Sequence, residues 1–254
     1  MRTETRADMC VVAFAAQKGG VGKTTLVGHM AVAAAHAGIG PVGLIDMDPQ
    51  ASLSKWTESR EERDLHLFAT DPGGLNAALR DASAAGMRLV LVDPPPAVTR
   101  AISEVVAQAD LVVIPTRPSP HDLRAVGATV DIAEWHGKPL VFVVNGATAR
   151  ARITADAAVA LSQHGTVAPV TLHHRVDFAA SMIDGRTVLE AKPDGKSAGE
   201  VATLWSYLAT RLERLQPPQE GSLAGSALTY TGNYASNVNA LGRQAPAFGR
   251  RIGQ

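Results

Sequence analysis

Residues 16–25 read AQKGGVGKTT, a glycine-rich run that carries two lysines, Lys18 before the glycines and Lys23 after them. The apolar residues 10–16 lead into it and read as a buried strand, while residues 26–37 follow it and read as a helix. Glycines at a strand-to-helix turn let backbone N–H groups face a polyphosphate, and the dipole of the helix N-terminus favours the same anion. In such a loop Lys23 reaches the β- and γ-phosphates of a nucleotide and the Thr24 hydroxyl holds Mg²⁺, with Val21, Gly22 and Thr25 completing the cradle. The usual phosphate-loop pattern has a glycine where this chain has Gln17, so Gly19 and Gly20 supply the flexibility instead. One lysine is enough to neutralise the phosphates, which leaves Lys18 with no evident task in its own subunit.

Beyond the loop, apolar runs alternate with helical periodicity, the pattern of a mostly parallel twisted sheet covered by helices on both faces. The stretch PVGLIDMDPQ is a strand ending in two acids, and residues 87–92 form another that ends at Asp93 before a triple proline. Residues 111–115 and 139–145 are two further strands, and residues 122–135, 154–164 and 198–215 read as helices. In sheets of this kind the ligand sits beyond the carboxyl ends of the strands, where Asp46, Asp48 and Asp93 all fall. Asp93, after the apolar RLVLV, has the form of an acid that holds Mg²⁺. Asp46 and Asp48 share one side of the strand exit if the chain is still extended there.

With 254 residues, nearly half of them apolar, the chain can bury a substantial core as one α/β domain. Its 24 basic and 24 acidic residues balance, which excludes coating nucleic acid by bulk charge and restricts any DNA contact to a local patch. The single cysteine, Cys10, excludes an internal disulfide or a cysteine metal cluster and is expected in the core. No apolar run approaches the roughly 20 residues of a spanning helix, so stable membrane insertion is not expected and the location is read as cytoplasmic. The expected domain covers residues 1–215. Residues 216–254, rich in Gly, Ser, Asn and Ala, read as a flexible low-complexity tail.

The segments KGGVGKTT, DMDPQASLSKW, LVDPPP, IPTRPSPHDL and RVDFAASMIDGRTVLE resemble, in order, those of ParA-type partition ATPases of the deviant Walker A superfamily, and particularly the small ParF-like plasmid proteins. The resemblance spans about residues 10–215 and implies a P-loop NTPase fold. It implies that Lys18 crosses to the partner subunit's phosphates in an ATP-bound homodimer, that Asp48 is associated with water activation, and that Asp46, Asp93 and Thr24 form the magnesium environment. By the same likeness Asn145 contacts adenine and the loop from Pro118 to Asp122 walls the base. The implied function is an ATPase whose dimer binds nonspecific DNA on the nucleoid and is released when a small ParB- or ParG-like centromere-binding adaptor stimulates hydrolysis, segregating a plasmid or chromosome. Arg150, Arg152, Arg175, Arg186 and Arg211 are available for the DNA face.

Three other readings share the loop. One is an ATPase that recruits or places a protein machine such as a conjugation complex. Another is a MinD-like membrane-associated regulator, for which Leu241, Phe248 and Ile252 with Arg243, Arg250 and Arg251 give a weak terminal helix broken by Pro246. A third, a ligase of the dethiobiotin synthetase kind, is disfavoured by Lys18 and the DPQ segment. A nitrogenase iron protein fails for want of cysteines, and a bacterial tyrosine kinase for want of a tyrosine cluster. The triple proline after Asp93 departs from the family pattern and is expected to stiffen that switch.

Overall fold

The structure is a computed structural model and describes residues 9–71, 73–96 and 99–215. Seven parallel strands are ordered β3-β2-β4-β1-β5-β6-β7. They are β1 (Cys10–Phe14), β2 (Val42–Asp46), β3 (Leu65–Ala69), β4 (Leu89–Asp93), β5 (Leu111–Thr116), β6 (Leu140–Val144) and β7 (Thr166–Val167). The helices are α1 (Lys23–His36), α2 (Ser52–Glu58), α3 (Leu75–Ala84), α4 (Thr99–Gln108), α5 (Pro120–Ala125), α6 (Gly127–Trp135), α7 (Arg152–Ser162), α8 (Val176–Ser181), α9 (Val188–Ala191) and α10 (Lys196–Leu215).

The inner strands are continuous apolar runs because both of their faces are covered. Alternate residues of β1 enter two separate cores. Cys10, Val12 and Phe14 pack with α1, Trp56 of α2, Val188 of α9 and the apolar stripe Val201, Leu204, Leu208 and Leu212 of α10. Val11 and Ala13 pack on the other face with Leu79 of α3, Ile102 and Val105 of α4, Val130 of α6 and Leu161 of α7. Cys10 is buried in the first of these cores, as expected of a small apolar side chain.

The strand expected at each glycine or acid motif is present, within a residue or two. The helix expected over 122–135 instead begins at Pro120, capped by the Ser119 hydroxyl, which accepts from the Asp122 amide, and it divides at Val126 into α5 and α6. The expected tail, residues 216–254, lies outside the described residues. So do Ala97 and Val98, just after the triple proline. Because every strand runs the same way, the exits of β1, β2, β4, β5 and β6 all open on one edge of the sheet, and the strand order reverses about β1.

Candidate functional site

The loop between β1 and α1 forms the centre of that edge. Gly20 and Gly22 take φ of 73° and 93°, a left-handed backbone that a β-carbon would strain. At Gly22 there is also no room, since a β-carbon there would lie 2.4 Å from the Asn145 side-chain nitrogen. That closeness has a cause: Asn145 Nδ2 donates to the Val21 carbonyl at 2.7 Å, tying the exit of β6 to the crest of the loop. Asn145 therefore anchors the loop as well as standing where an adenine contact is expected, and its amide oxygen is left as an acceptor.

Lys23 opens α1 and is buried at 7% exposure. Burial lowers the pKa of its ammonium, opposed by the negative charges of Asp93 and Asp48. Thr24 donates its hydroxyl to Asp93 Oδ2 at 2.5 Å, joining the loop helix to β4. Asp93 is 1% exposed, and burial pushes its carboxyl up to about 7 despite the Thr24 hydrogen bond and Lys23. Its Oδ1 is buried with no hydrogen-bond partner among the described residues. An orphaned carboxylate oxygen beside a threonine hydroxyl fits a hydrated dication, which would supply the missing partner and favour the ionised acid. No group of three or more metal-ligating His, Cys, Asp or Glu side chains occurs among the described residues.

Asp46 and Asp48 both lie close enough to Asp93 for their charges to act on its carboxyl. The strand ends at Asp46, the Met47 amide still donates to the Asp93 carbonyl at 3.0 Å, and the Asp48 amide donates to Asp46 Oδ1 at 3.1 Å. The other oxygen, Asp46 Oδ2, accepts from the Ser54 amide and hydroxyl, both at 2.8 Å. Asp46 is thus buried and spent on holding the loop to α2, and any influence on a cation runs through its charge beside Asp93, its register partner. Asp48 is half-buried and accepts from the Gln50 amide at 2.9 Å, while its charge acts on Lys23. The turn that aims it is strained, since Ala51 sits at φ 51°.

Lys18 and Gly19 are exposed at the loop, and Lys18 has no ion pair among the described residues. Pro118 precedes the capped turn of α5, where the Ser119 hydroxyl also donates to Asp122 in a very short contact. The basic residues fare differently. Arg175 is locked bidentately to Glu200 at 2.6 and 2.8 Å, Arg186 pairs with Asp184 at 2.6 Å, and Arg211 lies over Tyr207. Arg175 is therefore held by Glu200, whereas Arg186, Arg150 and Arg152 are exposed, Arg186 beside Asp184 and Arg152 3.8 Å from Asp156.

A second network lies behind the loop. His29 of α1 is fully buried, its Nδ1 donates to the Thr25 carbonyl at 2.7 Å, and its Nε2 accepts from the Val188 amide at 3.2 Å. Trp56 of α2 donates to the Arg186 carbonyl at 3.1 Å. Arg60, buried under the same segment, donates to the Gly185 carbonyl, to Glu190 and to Asp64. Glu190 in turn accepts from the amide and hydroxyl of Thr187, a reciprocal cap of α9. Residues 185–190 are so pinned to both helices that follow the loop and Asp46–Asp48. The reciprocal Thr187–Glu190 spacing was the one signal in the sequence for this.

The pattern that defines the CobQ/CobB/MinD/ParA nucleotide binding domain matches residues 12–208. This chain belongs to that family. It is a P-loop ATPase of the ParA/MinD kind, as the resemblance implied. It is 29% identical over 203 residues to the maintenance of carboxysome distribution protein A of Halothiobacillus neapolitanus, covering 74% of this chain and 91% of that one. It is 34% identical over 124 residues to the ParA protein of Rhizobium radiobacter, covering 48% of this chain and 53% of that one. Among solved structures, the ATP complex of a Cyanothece McdA variant superposes with a TM-score of 0.67 at 17% identity, over 80% of this chain and 97% of that one, a likeness of fold. No helix among the described residues is long and apolar enough to cross a membrane.

Proposed function

We propose that this protein is a Mg²⁺-dependent positioning ATPase: ATP brings two subunits together, the pair binds DNA without sequence preference, and partner-stimulated hydrolysis releases it. The observation that carries the reading is the joined set of Lys23, Thr24 and Asp93 at the loop, with Asp48 acting on the same lysine and an exposed Lys18 beside it. Lys23 neutralises phosphate charge, and the loop amides from Gly19 to Thr25 orient the chain of phosphates. Bound Mg²⁺, held by Thr24 and through water by Asp93, would spread the charge of the β- and γ-oxygens. Asp48, half-exposed at a strained turn, orients the attacking water, and Asp46 keeps that turn in place through Ser54. Lys18 has no partner in its own subunit among the described residues and reaches the phosphates of the second.

The cargo we propose first is a plasmid or chromosome, brought by a small centromere-binding adaptor. A second reading, placement of a large protein assembly on the nucleoid, is favoured by the carboxysome distribution relative, whose length the chain matches almost throughout. Sedimentation with and without ATP, followed by binding to mixed-sequence DNA at two salt concentrations, tests the shared part. A protein that stays monomeric with ATP, or binds DNA equally without it, would not be this switch. Pull-down against replicon DNA with its adaptor, or against the protein assembly, separates the cargoes.

A further inference from the structure

We infer that Arg117 is a nucleotide-binding residue, its guanidinium lying against the base and ribose of the bound nucleotide; this rests on ATP occupying the loop. Arg117 is the first residue beyond β5 and is exposed at the carboxyl edge. Its position is fixed by two glycines. A β-carbon on Gly20 would lie 3.7 Å from a terminal nitrogen of Arg117, and one on Gly146 would lie 3.8 Å from its Cγ and 3.9 Å from its Nε. The side chain therefore runs from the exit of β6 to the crest of the phosphate loop. Both glycines take left-handed backbone, φ 73° and 64°, where L side chains are rare, so the arginine lies over bare main chain. No hydrogen bond or ion pair with another described residue holds the guanidinium there.

The sheet order says which part of the nucleotide it meets. β1 divides the edge: β4 and β2 lie on one side with Asp93, Asp46 and Asp48, and β5 and β6 lie on the other with Arg117 and Asn145. Lys23, Thr24 and Asp93 claim the phosphates and cation on and beside the first side, which directs the nucleoside to the second. There the Asn145 amide is fixed by Val21 and the capped turn after Pro118 stands next to Arg117. A guanidinium is planar and weakly hydrated, so it stacks on the face of a purine at little desolvation cost, which an ammonium cannot do. Contact with base and ribose makes no distinction between a nucleoside diphosphate and a triphosphate. A cation reaching the γ-phosphate would make one.

The test is titration of ATP and ADP against Arg117→Ala, Arg117→Lys and Lys23→Ala, with melting temperatures to confirm folding, which an exposed unpaired side chain should not affect. Arg117→Ala is expected to weaken ATP and ADP by a similar factor, roughly 5- to 20-fold, and Arg117→Lys to recover little of it. Unchanged affinity in Arg117→Ala, or a loss confined to ATP, or full rescue by lysine would overturn the assignment. Failure of the underlying reading shows separately, as ATP binding that survives Lys23→Ala.

Discussion

Acid should loosen this protein through His29. The imidazole is fully buried against Phe178, its Nε2 is already an acceptor for the Val188 amide, and burial holds its pKa down to about 4 against an ordinary 6.5. The Thr25 carbonyl and the charge of Glu190 oppose that shift without cancelling it. A proton on Nε2 would replace the acceptor with a donor pointed at another donor. Because the folded pKa is the lower one, the unfolded chain binds more protons between the two values, and stability falls as pH drops from about 6.5 towards 4. A shift of about 2.5 units amounts to about 3 kcal/mol in full and about 2 kcal/mol at pH 5. Urea unfolding at pH 7.5 and pH 5, with His29→Gln beside the unsubstituted chain, measures it. Glutamine can still donate to Thr25 and accept from Val188 but does not titrate, so its two curves should lie about 2 kcal/mol closer together than those of the histidine protein. An equal pH response in both proteins would show that His29 is not the source.

Other outcomes follow from the same contacts. Lys23→Ala should abolish ATP binding, whereas Asp48→Ala should leave the affinity within a few-fold and stop turnover, trapping the ATP-bound state; equal loss of affinity in both, by nucleotide titration, would take Asp48 out of the chemistry. Lys18→Ala should bind ATP and remain monomeric in sedimentation, and a normal ATP-dependent dimer would refute the cross-subunit role. Gly185→Ala should cost roughly 2–5 kcal/mol in urea unfolding, since its φ is 77° and a β-carbon would sit 2.5 Å from the Arg60 amide nitrogen, combining left-handed strain with overpacking. Charge reversal at Arg150 and Arg152 should weaken DNA binding for all sequences alike without loss of stability, while reversal at Arg175 should destabilise the fold by stranding Glu200.

What could be read from the sequence was whatever is local or periodic. Strands buried on both faces announce themselves as unbroken apolar runs, which is why β1, β2, β4, β5 and β6 were legible, with the loop and acids at their ends. The short edge strands β3 and β7 carry no such run. Leu65–Ala69 is interrupted by His66 and is only partly covered, so its pattern is too weak to stand out from a loop. At the site, the glycine loop and the strand ends marked Lys23, Thr24 and Asp93, which the structure brings together, while the family resemblance singled out Asp48. Asp46 was legible as an acid but not as one already spent on Ser54, since a hydrogen bond across eight residues leaves no mark on composition. The ion pairs of the basic residues were hidden for the same reason: an arginine looks alike in sequence whether Glu200 holds it or solvent does. His29, Trp56, Arg60 and Gly185 were out of reach altogether, their partners lying 125 to 159 residues away. α1 begins at Lys23 and α2 is fastened to Asp46, and both are hydrogen-bonded to the same short segment, Gly185 to Glu190. Any displacement of the Asp46–Asp48 turn that moved α2 would strain Trp56 and Arg60 against that segment, while His29 held it to α1. The segment is therefore tied to both helices, the one that begins at the loop and the one fastened to Asp46.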